Sequence, residues 1–309
     1  MNKNAKKILI NTAAILVLSG GIFSCHSNDN GPVVTPPDPI GGFNNSNEVG
    51  ATNLKAHWTF DGTNKEDISA TNPDVTTGAS FTTGVKGQAL NLANGYLHFP
   101  TIPSLNTANI GSMTVSCWVK VDNNGATASN AFSLTLDADS TADWNYGPVN
   151  MLLETGHPIA TDDTLVLHPS FSTWPTLTTR VGGDNINDYG VRETDFKTVH
   201  GTNQWVHYVM RYDATGSNID AFANGILVSN NNFRHRETAP GVGVGAIVTK
   251  VPTQVLIGAL ANANTGYPNS AAQTWQGNFT GGIDEVRFWN TALSDADISS
   301  LYQLEKAGR

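Results

Sequence analysis

The feature that most constrains this chain is an apolar alternation of period two that recurs along most of its length. Leu54, Ala56, Trp58 and Phe60 fall on one side of an extended segment, and Val115, Cys117, Val119 and Val121 alternate with Thr114, Ser116, Trp118 and Lys120. Side chains of an extended strand point to opposite faces in turn, so this pattern specifies strands with one face in a core. Trp205 to Tyr212 is apolar on both faces except at His207 and Arg211, which predicts a central strand covered by a second layer. Further strands fit Gln88 to Phe99, Gln254 to Ala259 and Ile283 to Trp289, and Asn224-Gly225 between two apolar runs predicts a type I′ hairpin. Many short strands with closely spaced turns specify an all-β sandwich of two antiparallel sheets. One helix is expected at the end. Ser294 is placed as its N-cap, Asp297 completes a capping box, and Leu293 and Ile298 form a staple.

Composition narrows the function classes. Of 309 residues, 17 are Lys or Arg and 26 are Asp or Glu, giving a net charge of -9 and a pI near 5.2. A nucleic-acid partner calls for a clustered basic excess, so none is expected.

The start of the chain reads as an export signal over residues 1–24: Lys3, Lys6 and Lys7 precede an apolar run, Ile8 to Leu18, too short to cross a bilayer. It ends at Ile22-Phe23-Ser24-Cys25, which resembles the lipobox of bacterial lipoproteins and implies lipidation of Cys25. Removing the signal leaves 14 basic against 26 acidic residues, a net of -12, so membrane attachment is expected through lipid only. Residues 25–50 are rich in Pro, Gly and Asn without periodicity and are expected to form a flexible tether. The domain is then expected over residues 51–309. Cys117, the remaining thiol, is expected to be inert core packing.

Several blocks occur in a recognisable order: Ala56-His-Trp-Thr-Phe-Asp-Gly62, Gly84-Val-Lys-Gly-Gln-Ala-Leu90, Met113 to Lys120, Gln204 to Asp213, and Gly281-Gly-Ile-Asp-Glu-Val-Arg-Phe-Trp-Asn290. The series resembles the laminin-G-like jelly roll of the concanavalin A-like lectin/glucanase superfamily, as carried by lipoproteins of Bacteroides-type bacteria. It implies a concanavalin A-like (LamG-like) sandwich, with residues 125–200 as an insertion beyond what the family needs.

The insertion carries Trp144, Tyr146, Trp174 and Tyr189 among Gly, Pro, Asp and Asn, and a second such loop carries Tyr267 and Trp275. Aromatic rings that a core does not need can stack on the C–H faces of sugars while amides and carboxylates bind the hydroxyls. These six are the candidate ligand-binding residues; the alternative is a satellite cluster that holds the insertion down. The resemblance also implies a structural Ca²⁺ near Asp61 and Asp284. A buried Asp284 needs either such a cation or loop amides, and Arg287 is expected as a rim charge.

No catalytic residue is assigned. The superfamily's glucanases carry Glu-x-Asp-x-x-Glu on one strand, whereas the seven glutamates here lie more than ten residues apart. Asp284 and Glu285 are expected on opposite strand faces. An acid pair from different strands, such as Glu154 with Asp184 or Glu193, stays open. His157, His168 and His200 fall in the insertion, but their spacing gives no support for a metal site. The sequence therefore points to a lipid-anchored, non-catalytic carbohydrate-binding or adhesion module on a bacterial outer membrane, probing a polysaccharide or glycan at the cell surface. Its alternatives are a glycoside hydrolase or lyase with a non-standard acid pair, and a module that binds outer-membrane proteins.

Overall fold

A computed structural model describes residues 36–156, 162–187 and 195–309. In chain order the strands are β1 (Leu54–Trp58), β2 (Val75–Thr83), β3 (Gln88–Phe99), β4 (Asn109–Gly111), β5 (Met113–Val121) and β6 (Ser129–Leu136). They continue with β7 (Val149–Leu153), β8 (Leu167–Thr173), β9 (Val181–Asp184), β10 (Val206–Asp213), β11 (Asn218–Ala223) and β12 (Ile226–Leu227). Then follow β13 (Glu237–Ala239), β14 (Val242–Gly243), β15 (Ile247–Val248), β16 (Thr253–Ile257), β17 (Phe279–Trp289) and the helix α1 (Asp295–Lys306).

The expected all-β sandwich with one C-terminal helix is what forms. Its two layers belong to a single curled antiparallel ladder in the order β12-β11-β10-β5-β17-β3-β16-β6-β7-β8-β9. Strand β3 makes the transition between layers: Leu90 to Leu92 pair with β17, and Leu97 to Phe99 pair with β16. Between them Asn94 takes a left-handed conformation, φ 48°, and the partner strand β2 bends at Gly78, φ 61°. A Cβ on Gly78 would meet the Ala93 carbonyl oxygen at 2.5 Å, so the strands approach there closer than any side chain permits. The core between the layers takes inward residues from both, among them Trp58, Phe99, Val115, Cys117, Phe132, Met151, Phe171, Tyr208 and Phe288.

The predicted hairpin is present, with Asn224 and Gly225 both left-handed at φ 50° and 77°. The Ser294 side chain accepts from Asp297 N, and the helix runs on to Lys306. Helix α1 covers the outer face of the β5 layer: Trp118 stacks on Tyr302 with ring centres 5.5 Å apart. Cys117 is buried in the core, and burial pushes its thiol pKa up, as inert packing requires.

Three expectations are corrected. The tether does not extend to residue 50. Val49 is buried, and Ile40 and Phe43 pack in the same cluster as Leu293, Ile298 and Leu301 of the helical end, so the chain from Asp38 onward belongs to the domain. Residues 125–200 are not simply an insertion, because they supply four strands, β6 to β9, of one layer. Arg287 is not a rim charge. It is fully buried beneath α1, with ion pairs to Glu285 at 2.5 Å and Glu305 at 2.9 Å and hydrogen bonds to Asn47 and Ser46. The reason is cover: Arg287 lies on the strand face opposite Val286 and Phe288, and α1, which brings Glu305, and the Ser46–Asn47 turn close over that face. Cys25 and the export signal lie outside the described residues, as do Tyr189 and His157.

Candidate functional site: an aromatic cleft over a charged sheet face

Period two in β7 sends Val149, Met151 and Leu153 into the core, leaving Asn150, Leu152 and, beyond the strand, Glu154 on the opposite face. In β8 the same rule places His168, Ser170 and Ser172 on that face, the two serines buried. The register sets Leu152 against His168, Asn150 against Ser170, and Ser170 against Asp184 of β9. Two loops rise over this floor, one carrying Trp144 and the other Trp275. Their indoles meet edge to face, ring centres 5.3 Å apart at 82°. Both rings are partly exposed, and the Trp275 Nε1 donates to Gln273 Oε1 at 2.6 Å. Together with Leu152, Glu154, Gly156 and His168 they enclose a cleft of about 430 Å³.

His168 is the centre of the floor. Its Nδ1 lies 2.5 Å from Glu154 Oε1 and its Nε2 lies 3.0 Å from Asp184 Oδ2. Two ionised carboxylates can only accept, so both ring nitrogens carry protons and the ring is an imidazolium. Burial works against that charge, but the hydrogen bonds to Asp184 and Glu154 and their charges outweigh it, pushing the pKa up to about 9. Asp184 is further bound by the Arg236 guanidinium, which also reaches the Asp184 carbonyl. Glu154 and Asp184, the cross-strand pair the sequence left open, are thus brought together, but by a shared cation. Asp184 is held through both oxygens, Oδ2 by His168 and Oδ1 by Arg236, and Glu154 is held through Oε1.

Two neighbouring depressions adjoin the cleft. On one side, sharing Ala126, lies a trough of about 610 Å³ lined by Asn94, Asp122, Asn124, Asn262, Gln273 and Gln276 among others. Asn124 and Asn262 are held by local hydrogen bonds, Asn124 to Ala126 N and Thr127 N, and Asn262 to Asn264 N and Gln276 Oε1. The trough is therefore a surface of amide side chains held in place by local hydrogen bonds. On the other side, sharing Trp144 and His168, is a pocket of about 390 Å³ that includes Arg180, Asp184 and Arg236.

Of the six aromatics singled out from the sequence, Trp144 and Trp275 form the cleft. Trp174 does not: it is only 8% exposed, its indole donates to the Tyr146 carbonyl at 3.0 Å, and its ring packs edge to face on Tyr146. These two hold the loops down, as the satellite-cluster alternative described. Tyr267 is fully buried beside Tyr96 and Leu256, its hydroxyl 3.0 Å from His98 Nε2. Loop position misled here, because the 260–278 loop folds Tyr267 under itself while leaving Trp275 at the rim.

Asp61 and Asp284 converge on one turn, Gly84–Gly87. Asp284 Oδ2 accepts from Val85 N at 2.7 Å and Lys86 N at 3.2 Å, its Oδ1 accepts from Glu285 N at 2.8 Å, and Asp61 Oδ1 accepts from Gln88 N at 2.7 Å. Amide hydrogens therefore occupy the lone pairs that a calcium ion would need, so this donor set fits the amide alternative rather than Ca²⁺. Among the described residues, no group of three or more His, Cys, Asp or Glu is arranged to hold a metal.

No protein-family model matches the chain, and no curated protein matches it. Among solved structures, it is similar to the binding domain of Paraclostridial mosquitocidal protein 1, with 15% identity and a TM-score of 0.50 over 82% of this chain and 52% of that one. The botulinum neurotoxin serotype G binding domain is similar at 11% identity and a TM-score of 0.50, over 82% and 51%. Domain 4 of a GH43 extracellular arabinanase from Geobacillus stearothermophilus, solved in complex with arabinotriose, gives 19% identity and a TM-score of 0.49, over 81% and 98%. The chain spans about half the length of the toxin binding domains. At these identities the likeness shows the fold, a β-sandwich.

Proposed function

We propose that the chain is a non-catalytic glycan-binding module whose site is the Trp144–Trp275 cleft. The observation that carries this reading is the pair of partly exposed indoles, 5.3 Å apart, standing over a polar floor and opening into an amide-lined trough. Indole faces take the C–H faces of pyranose or furanose rings, and fixed amides take the hydroxyls, so the arrangement supplies both halves of sugar recognition. With this reading goes the sequence-based proposal of a lipid anchor at Cys25 on an outer membrane; radiolabelled fatty-acid incorporation lost in Cys25→Ala is its check.

Affinity electrophoresis through gels containing plant, algal and host polysaccharides, followed by calorimetry on the retarding polymer, tests the function. Trp144→Ala and Trp275→Ala are each expected to weaken binding by about tenfold or more, since one stacked aromatic contributes on the order of 1–2 kcal/mol. Both sites are partly exposed, so thermal stability should stay near that of the parent. Retardation unaffected by either change would refute the site. Release of reducing sugar, abolished by Glu154→Gln, would favour a hydrolase instead.

A further inference from the structure

The pocket beside Trp144 has an electrostatic character unlike the rest of this acidic chain, which carries a net charge of -9. Arg180 lines it, with one guanidinium nitrogen, Nη1, held by the Asn145 carbonyl at 3.1 Å, Asn145 Oδ1 at 2.8 Å and Ser172 Oγ at 3.0 Å. The guanidinium carbon sits 5.3 Å from the Tyr146 ring centre. Tyr146 packs on Trp174, and Lys250 Nζ lies 3.6 Å over the Trp174 ring. Two cations thus flank a packed aromatic pair, and no carboxylate among the described residues pairs with Arg180. Asp184 lines the same pocket, but its oxygens serve His168 and Arg236.

A side chain fixed through one nitrogen of its fork, and left without an acid, is placed to use its remaining donors on an anion. Taking the glycan reading as given, we propose that the bound sugar is acidic, with its carboxylate or sulfate seated on Arg180 and its ring against Trp144. The amide trough on the far side of the cleft then takes neutral neighbours of the same chain. This assigns direction as well as class: the anionic residue lies toward β9, and the uncharged residues lie toward the 262–280 loop.

The test uses matched polymers and the purified full chain. Polygalacturonate and hyaluronan supply carboxylates, chondroitin sulfate and carrageenan supply sulfates, and carboxyl-reduced or desulfated forms of each remove the charge. The expected result is retention of at least one acidic polymer, weakened about tenfold or more by removing its charge. Arg180→Gln should weaken the native polymer by a similar factor and leave the neutralised one unchanged, whereas Trp144→Ala should weaken both forms. Arg180 is exposed, and an unchanged melting temperature would show that Arg180→Gln is folded. Binding that depends on Trp144 but not on Arg180 or polymer charge would overturn the acidic assignment and leave the glycan reading standing. No retention of any acidic or neutral polymer would overturn both. Whether carboxylate or sulfate forms bind identifies the anion.

Discussion

Raising the pH through 9 removes the proton that joins Glu154 to Asp184, and its cost can be worked from the floor of the cleft. The His168 ring is nearly enclosed and touches two carboxylates, and its pKa rises from 6.5 to about 9. At about 1.4 kcal/mol per pH unit, that elevation corresponds to about 3 kcal/mol. The sign follows from linkage. A group whose folded pKa exceeds its unfolded value contributes its full stabilisation below the unfolded pKa, near 6.5, and loses it as pH climbs through the folded one. The contribution should therefore be intact at pH 6 and largely gone by pH 10, when two carboxylates face each other across a neutral ring. Proton NMR of the His168 Cε1–H across pH 5 to 10 reads the titration directly. A midpoint near 9 is expected, falling by at least one pH unit in Glu154→Gln, which removes one of the two charges. A wild-type midpoint at or below 6.5 would refute the reasoning, since it would mean that burial outweighs both partners.

Two further outcomes follow from the buried chemistry. Arg287→Met strands Glu285 and Glu305 without their shared cation in a fully buried setting, and should destabilise the fold by about 3–5 kcal/mol. Urea denaturation measures it; a loss under 1 kcal/mol would contradict the pairing. Because Asp61 and Asp284 are satisfied by amides of the 84–88 turn, chelation with EDTA should leave the melting temperature unchanged. A drop of several degrees reversed by Ca²⁺ would restore the cation alternative.

The strands were legible because their signal is local: alternation, an Asn-Gly turn and a Ser N-cap each act within a few residues, and β5, the β11–β12 hairpin and α1 formed accordingly. What stayed hidden depends on contacts remote in sequence. Arg287 reads as a surface charge on β17 until Glu305, from the far end of α1, arrives beside it and the helix covers its face of the sheet. The 38–50 segment has a linker's composition, yet Ile40, Phe43 and Val49 are enough apolar surface to pack it beside α1. In the candidate site, composition marked the loops that carry Trp144 and Trp275 but could not separate these two, at the rim of the cleft, from the buried Trp174 and Tyr267. His168 was visible only as one scattered histidine. Its meaning lies in the register of β7, β8 and β9, which sets Glu154 and Asp184 at its two nitrogens.

The strap that packs beside α1 also closes the molecule on itself. Ser46 N donates to the Arg309 carbonyl at 3.1 Å, and the Arg309 guanidinium reaches the carbonyls of Asn44 and Asp38, both at 3.0 Å. Asp38 and Arg309 therefore lie side by side, so the segment between them can be spliced into a surface loop of a host protein, or cyclised through a short linker, without stretching either end. Opening new termini at an exposed loop such as 240–241, far in sequence from the cleft residues Trp144 and His168, would give a permuted module with the Trp144–Trp275 cleft undisturbed.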